Sequence, residues 1–259
     1  MNKRIEKITA LILALSLLLS MFTVNIFVSA EQTTVWDGKT AQPTNTDSKG
    51  NVLISTPQEL AYIVETGGVA GTNYKLTADI YLNEIDKVNW TTGEVADGYT
   101  VKKWYDSIPF KGGTIDGDGH VVYGLYFLKD EIGAYRAHPN GSGLIPRLDT
   151  NANLTINNLG IENAYVHHQD TAAAFLGTAL GGNTVEFNDC YASQTVTLIG
   201  GSAGVFRGYA YKEVNSTALT NCYSLASTTG TVNYGLIGSI YDKKPNLTFN
   251  NCYNATGPL

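Results

Sequence analysis

The pattern of apolar and polar positions repeats along the C-terminal half of the chain. Each copy contains an apolar residue, two polar residues of which the second is Asn or Asp, and then Leu or Cys. The four copies are Thr155-Ile156-Asn157-Asn158-Leu159, Glu186-Phe187-Asn188-Asp189-Cys190-Tyr191, Leu219-Thr220-Asn221-Cys222-Tyr223 and Thr248-Phe249-Asn250-Asn251-Cys252-Tyr253. The position of Leu159, Cys190, Cys222 and Cys252, which we call the ladder position, recurs after 31, 32 and 30 residues.

A second mark, a run of small and apolar residues, accompanies the first. Its copies are Gly143-Leu144-Ile145-Pro146, Ala174-Phe175-Leu176-Gly177, Gly204-Val205-Phe206-Arg207 and Gly235-Leu236-Ile237-Gly238. The first position of this run recurs after 31, 30 and 31 residues. Two independent marks with one period indicate stacked repeat units.

The local chemistry of the units favours strands over the alternative of helical repeats. The units are rich in Thr, Val, Ile, Tyr, Asn and Gly and poor in the residues that favour helices. Residues 195–199 form a short, apolar, glycine-bounded stretch of the kind found in buried strands. The sequence therefore predicts an all-β fold, a right-handed parallel β-helix (solenoid), since crossover connections between parallel strands are right-handed.

Stacking predicts a place for each recurring residue type. Side chains at the ladder position should point inward, and the residue before each should lie at a bend where amides hydrogen-bond along the stack. The bend residues are Asn158, Asp189, Asn221 and Asn251. We expect free, buried thiols rather than a disulfide, because parallel in-register neighbours keep their Cβ atoms wider apart than the roughly 3.5–4.5 Å of a disulfide.

A short helix is predicted upstream of the repeats. Thr56, Pro57 and Glu59 form a capping box with Pro at the first helical position. An apolar face follows, and Gly67 and Gly68 should end the helix. We expect this capping helix to cover the open end of the first coil, since exposed strand edges need a cover.

The N-terminus has the pattern of an export signal. Lys3, Arg4 and Lys7 precede an apolar run that ends in Val28-Ser29-Ala30, a small-residue cleavage pattern. Residues 1–30 are therefore predicted to be a cleaved signal peptide, with a retained membrane anchor as the alternative. Residues 31–50 are expected to be flexible, 51–135 to form the cap and first coils, and 136–259 to form the repeats, truncated at the C-terminus.

The sequence resembles bacterial proteins with GLUG repeats, named for a Gly-Leu-apolar-Gly run, in its repeats and in the region before them. Residues 235–238 match that run fully, whereas the other three copies are degenerate. Residues 54–60, 74–80 and 110–119 are similar to the N-terminal cap that often precedes such repeats. The resemblance covers about residues 50–259 and implies a secreted or cell-surface β-helix with a role in adhesion or in matrix and glycan contact.

Some members of that family carry a zinc peptidase or cellulosome-type modules. The chain contains no His-Glu-x-x-His sequence and no dockerin-like calcium loop, so neither activity is implied for it. No cofactor is expected.

Charge argues against nucleic acid as a partner. Residues 1–30 contain three basic residues and one acidic residue, so their removal takes the formal net charge from −6 to −8. No basic patch remains that could neutralise phosphates. The expected partner is an extracellular polysaccharide or a host or cell-surface glycoprotein, without membrane association after cleavage of the signal.

The acidic residues of the repeats do not align as a catalytic pair. Asp149 and Asp242 share a register position but lie three coils apart, roughly 14 Å at the usual strand spacing, whereas an inverting glycosidase needs about 6.5–9.5 Å. Asp116 and Asp118 are weak candidates for a cation site and are better explained by an Asp-Gly turn. His167 and His168 should point to opposite faces and are expected in an exposed loop.

The best candidate for binding is aromatic. Tyr191, Tyr223 and Tyr253 follow the ladder position and should point outward, forming a strip on which sugar rings could stack. Ring-on-ring stacking that stiffens the repeats is the alternative. The sequence thus favours an exported, non-catalytic adhesion or glycan-binding module, with a polysaccharide hydrolase or lyase, or a structural spacer, as the other possibilities.

Overall fold

A computed structural model describes residues 34–129, 140–210, 216–233, 235–240 and 246–255. The predicted signal peptide lies outside these ranges. They contain helix α1 (Pro57–Glu65) and the strands β1 (Val52–Ile54), β2 (Thr72–Leu76), β3 (Ile80–Tyr81), β4 (Pro109–Phe110), β5 (Gly113–Asp116), β6 (Val121–Tyr123), β7 (Tyr126–Lys129), β8 (Gly141–Ser142), β9 (Ile145–Leu148), β10 (Leu154–Asn157), β11 (Gly160–Glu162), β12 (Ala164–Ala172), β13 (Leu176–Ala179), β14 (Thr184–Asn188), β15 (Tyr191–Ala192), β16 (Val196–Ala203), β17 (Arg207–Ala210), β18 (Ser216–Thr220), β19 (Tyr223–Ser224), β20 (Ser227–Asn233), β21 (Ile237–Ile240), β22 (Leu247–Asn250) and β23 (Tyr253–Asn254). Within the described ranges, no helix has the length and apolar character needed to cross a bilayer.

These strands form four parallel sheets, so the fold is all-β with one short helix. Sheet 1 has the order β1-β2-β5-β10-β14-β18-β22, and sheet 2 has the order β3-β6-β11-β15-β19-β23. Sheet 3 has the order β7-β12-β16-β20, with β8 also paired to β12, and sheet 4 has the order β4-β9-β13-β17-β21. In all four sheets a strand of the C-terminal half pairs with the strand one repeat later.

The register of sheet 1 confirms the period predicted from the sequence. Ile156 pairs with Phe187, Phe187 with Leu219, and Leu219 with Phe249. Ile156, Phe187 and Leu219 are fully buried, and Phe249 is 49% exposed because β22 is the last strand of the sheet. The repeated apolar position therefore forms a column in the core.

The bend residues adopt the conformation that their chemistry allows. Their φ angles are 50° for Asn158, 54° for Asp189 and 53° for both Asn221 and Asn251, in the left-handed region where Asn and Asp are favoured. Asn221 Nδ2 donates to Asp189 Oδ1 and Asn251 Nδ2 donates to Asn221 Oδ1, each over 2.9 Å. The predicted hydrogen bonds along the stack are thus confirmed at these bends.

The cysteines at the ladder position are free thiols, as expected. Cys190 and Cys222 are buried and Cys252 is half-buried. Burial raises the pKa of the Cys190 thiol, because the thiolate is disfavoured away from water. Cysteine serves here as a small core residue.

The second sequence mark has a different register from the one predicted. The alignment by sequence equates Arg207 with Gly177 and Gly238, but Arg207 pairs with Leu176 and Ile237. The third copy is therefore Val205-Phe206-Arg207-Gly208, with pairing offsets of 31, 31 and 30 residues. The error arose because Gly204 matches the Gly or Ala found at the first position of the other three copies, whereas the strand pairing places Val205 there.

The corrected register explains the glycine at the end of this run. A Cβ on Gly177 would clash with the carbonyl oxygen of Pro146, and one on Gly238 would clash with that of Gly208. Neighbouring backbones approach too closely at Gly177 and Gly238 for a side chain, whereas the first copy has Pro146 at this position. Tertiary contact, and not a positive φ angle, requires glycine here.

Helix α1 is confirmed as predicted. The Thr56 side chain accepts from the Glu59 N–H, the Glu59 carboxylate accepts from the Thr56 N–H, and Pro57 occupies the first turn. Leu60, Ile63 and Val64 are buried in the main core. The helix therefore joins the core at the end where β1 is the edge strand of sheet 1.

Residues 34–50, expected to be flexible, are instead attached to the body of the protein. The backbone N–H of Trp36 donates to the Tyr81 carbonyl over 2.9 Å, and the Trp36 indole packs edge-on against Trp104 with ring centroids 5.2 Å apart. Trp36 is only 5% exposed. One large aromatic side chain is enough to tie an otherwise polar segment to the core.

Residues 82–108, between β3 and β4, contain no named strand or helix, and the middle of this segment packs on the outside of sheet 3. Trp90 forms a small second core with Tyr126 and Tyr165. The buried Asn83 amide holds the segment, since its Nδ2 donates to the carbonyls of Lys102 and Gly124, each over 2.9 Å. No periodic pattern predicts this packing.

Candidate functional site

The three predicted tyrosines lie side by side on sheet 2. Tyr191 pairs with Tyr223 and Tyr223 with Tyr253, in register. Tyr191 is half-buried, whereas Tyr223 is 41% and Tyr253 60% exposed. The rings of Tyr191 and Tyr223 are stacked, with centroids 5.1 Å apart and planes 7° from parallel.

Two further tyrosines share the outward face of the same sheet. The inward positions Ile80, Val122, Ile161, Ala192 and Ser224 are fully buried. Alternate residues therefore point outward: Tyr81 pairs with Tyr123, and Tyr123 pairs with Glu162. We call the outward residues Tyr81, Tyr123, Glu162, Tyr191, Tyr223 and Tyr253 the tyrosine face.

The tyrosine face contains two stacked pairs with a carboxylate between them, and Tyr253 follows the second pair. Tyr81 and Tyr123 stack with centroids 4.7 Å apart and planes 14° from parallel. Glu162 follows Tyr123 in the same row, and the Tyr191 hydroxyl donates to Glu162 Oε1 over 2.8 Å. The carboxylate therefore joins the first pair to the second.

Gly160 gives the Tyr191 ring its position. Gly160 pairs with Tyr191, and a Cβ at residue 160 would come within 2.6 Å of the ring carbons Cε1 and Cζ. The ring therefore lies directly over the backbone of β11, with Tyr223 on its other side. This placement brings the hydroxyl within reach of Glu162.

The electrostatic environment of the tyrosine face is negative. Burial, then the charges of Glu162 and Asp79, raise the pKa of Tyr123 to about 12. Burial, then the hydrogen bond to Glu162, raise the pKa of Tyr191 well above its ordinary value. The hydroxyls of Tyr123 and Tyr191 thus stay protonated and act as hydrogen-bond donors over the ordinary pH range.

Stacking limits what the rings can bind. Facing rings occupy each other's surfaces, so Tyr191, covered by Gly160 and Tyr223, cannot also stack on a sugar. Ring edges and hydroxyls face the solvent instead. The alternative of ring-on-ring stacking is therefore present for Tyr191 and Tyr223. A ligand would contact the tyrosine hydroxyls, the ring edges and the face of Tyr123 that is directed toward Glu162.

Tyr81, Tyr123 and Glu162 were missed because they lie two positions later in register than the predicted strip. Tyr191 aligns with Gly160 and Val121, not with Tyr123. A search for outward residues two positions apart on each strand would have found them, provided that β3 and β6 had been aligned with the repeats.

Asp116 and Asp118 lie at the end of β5 and in the turn that follows. Asp116 Oδ1 accepts from the Asp118 N–H over 3.0 Å and from Asn158 Nδ2 over 3.2 Å. Asp118 Oδ2 forms an ion pair with Lys75 Nζ at 2.9 Å. Both carboxylates serve the turn and its neighbours, and the described residues contain no group of three or more metal-binding side chains.

His167 and His168 point to opposite faces as predicted, but the exposed loop expected there is wrong. Both lie on β12, and His168 is 1% exposed. Its Nδ1 accepts from the N–H groups of Asp170 and Thr171 over 3.0 and 3.2 Å. A buried imidazole can replace an aliphatic side chain in a strand when its ring nitrogen satisfies local backbone donors.

Asp106 faces the other ring nitrogen of His168. The Nε2 to Oδ2 separation is 3.9 Å, longer than a hydrogen bond, and Lys129 Nζ lies 3.1 Å from the same oxygen. His168 first, and then Lys129, lower the pKa of Asp106 to about 2. This cluster ties the irregular segment 82–108 to sheet 3.

The other acidic and aromatic residues that could contribute to a site are dispersed. Asp79 contacts His120 Nδ1 over 3.2 Å at the edge of the tyrosine face. Tyr209 lies on β17 in sheet 4, away from the strip. Glu213, Asp242, Tyr211, Tyr234 and Tyr241 lie outside the described residues.

The tyrosine face is therefore the site with the most concentrated chemistry among the described residues. The chain matches no known family, no characterised protein and no solved structure with which it was compared.

Proposed function

We propose that the chain is an exported, non-catalytic module that contacts extracellular polysaccharide or cell-surface glycoprotein through the tyrosine face. In this proposal it is secreted or held at a cell surface. Its resemblance to GLUG-repeat proteins, the N-terminal export pattern and the tyrosine face each support this function from a different part of the chain.

The scaffold in this proposal is a right-handed parallel β-helix. In all four sheets, strands of the C-terminal half pair at offsets close to one repeat, as successive coils would. Right-handed crossovers are the rule between parallel strands. Helix α1 and Trp36 would close the first coil, where they join the core.

The single observation that carries the proposal is that five tyrosines and one carboxylate lie together on the outward face of sheet 2, in two neighbouring rows. Exposed aromatic side chains with hydroxyl tips supply apolar contact and hydrogen bonds together. Six parallel strands at about 4.8 Å spacing would extend this surface along roughly 24 Å. A polysaccharide chain is the kind of ligand that can follow such a surface.

A binding experiment tests this proposal. Replacement of Tyr123, Tyr223 and Tyr253 by Ala should reduce retention on immobilised polysaccharides at least tenfold, because the variant loses the accessible aromatic surface. The matched control replaces Thr155, Glu186 and Thr248, outward residues of sheet 1, by Ala and should bind like the wild type. Circular dichroism checks the fold, and unchanged binding by a folded triple-tyrosine variant would contradict the proposal.

A structural spacer is the second candidate, and the ring stacking favours it. The rings of Tyr191 and Tyr223 cover each other's faces, and the side-chain hydrogen bonds at the bends add rigidity along the stack. A spacer would keep its stiffness and bind no glycan. The polysaccharide screen separates this candidate from the first.

A further inference from the structure

We infer that Glu162 and Tyr123, with the Tyr191 hydroxyl, form a subsite for the protonated amine of an amino sugar. This inference rests on the proposed function, since it names the class of glycan that the tyrosine face would select. We call these three residues the amine subsite.

The position of Glu162 is the first argument. It is a half-buried carboxylate on the outward face, directly after the ring of Tyr123 in the same row. On the other side, the Tyr191 hydroxyl holds Oε1 over 2.8 Å. This contact orients the carboxylate, and no residue in the described ranges forms a hydrogen bond with Oε2.

The absence of a neutralising cation is the second argument. Asp37, Asp86, Asp106 and Asp118 each have a lysine within 4 Å. Among the described residues, no Lys, Arg or His forms an ion pair with Glu162, so none of them offsets this carboxylate beside the aromatic rings. A carboxylate and an aromatic face side by side attract a cation by Coulomb and cation–π interactions together.

The surroundings distinguish an amino sugar from a simple cation. A metal ion would require several oxygen ligands, and the described residues contain no such group. The neighbouring tyrosine hydroxyls suit the hydroxyl groups of a pyranose ring, and the face of Tyr123 suits its C–H bonds. The charge of Glu162, which after burial contributes to the raised pKa of Tyr123 and Tyr191, acts in the same direction.

The experiment compares two oligosaccharides that differ only in the amine. Calorimetric titration at low ionic strength and mildly acidic pH would use a glucosamine tetramer, in which the amines are protonated, and an N-acetylglucosamine tetramer, in which they are blocked. The wild type should bind the glucosamine tetramer about tenfold tighter, equivalent to about 1.4 kcal/mol. Added salt should reduce that preference, since exposed charges are screened.

Substitutions locate the effect. Glu162→Gln should abolish the preference and retain affinity for the N-acetylated tetramer, because the amide keeps the hydrogen bond from Tyr191 without the charge. Glu186→Gln, on the outward face of sheet 1, removes the same charge elsewhere and should retain the preference. Equal loss in both variants would indicate a general charge effect and overturn the inference.

Other outcomes separate this inference from the proposed function. Equal affinity of the wild type for the two tetramers would overturn the amine subsite and leave glycan binding intact. Failure to bind any polysaccharide would overturn both. Binding of a lysine peptide but not of the glucosamine tetramer would assign the carboxylate to a protein partner and also contradict the inference.

Discussion

Arg207 is a buried guanidinium in a column of aliphatic side chains. It pairs with Leu176 and Ile237 and is 1% exposed. Burial lowers its pKa to about 10. Its Nη1 donates to the buried Thr217 hydroxyl, whereas its Nε has no partner among the described residues. A charge in this position costs stability, since little replaces its hydration.

A double variant and a single variant at this contact should change the free energy of unfolding in opposite directions. Arg207→Leu combined with Thr217→Val removes both polar partners and should raise the free energy of unfolding by about 1–4 kcal/mol. Thr217→Val alone leaves the guanidinium without its acceptor and should lower it by about 1–3 kcal/mol. Urea unfolding measures both. A double variant less stable than the single one would show that Arg207 has a stabilising role.

The bend between strands is the element in which local sequence and stacking agree. Asn221 has a φ angle of 53°, donates to Asp189 and accepts from Asn251. Asparagine meets both requirements, because it tolerates left-handed φ angles and carries a donor and an acceptor on one short side chain. Either property alone would leave the other requirement unmet.

Substitution by Gly and by Ala separates these two contributions at Asn221. Asn221→Gly loses the side-chain bonds but accepts the φ angle, whereas Asn221→Ala loses the bonds and places a Cβ in the left-handed region at a further cost of about 1–2 kcal/mol. The thermal midpoint should therefore decrease from wild type to Gly to Ala. If Ala were as stable as Gly, the backbone angle would not be what selects Asn here.

The two ends of the described sheets differ. Helix α1 and Trp36 join the core at the end marked by β1, but β20, β21, β22 and β23 are edge strands at the other end. An open cavity of about 510 Å³ lies there, lined by Leu236, Ile237, Leu247, Phe249, Cys252 and neighbouring residues. A side chain in the same column is thus buried in an inner repeat and exposed in the last.

Substitution of two equivalent phenylalanines tests this difference in burial. Phe187→Ala in the fully buried position should lower the free energy of unfolding by about 3–5 kcal/mol. Phe249→Ala should cost less than half as much, because that ring is 49% exposed and loses fewer contacts. Chemical denaturation of both variants tests the ratio. Equal losses would mean that another chain covers Phe249 in solution.

Tyrosine placement shows how far the sequence could go toward the candidate site. The strip of Tyr191, Tyr223 and Tyr253 was predictable because it follows the repeat. Tyr81 and Tyr123 were not, because β3 and β6 lie outside the region where the marks recur. Glu162 lies within that region but two positions later in register than the strip.

The sequence by itself determined the features that depend on neighbours along one strand or on equivalent residues one repeat apart. These are the period, the bend residues, the ladder of free thiols and the capping box of α1. Tertiary structure alone decided the burial of Trp36 and His168, the register of Arg207 and the meeting of Glu162 with Tyr191. Trp36 and His168 contact segments whose spacing from them follows no period. The register of Arg207 and the contact of Glu162 with Tyr191 depend instead on the exact alignment of neighbouring strands, which only the packed chain fixes.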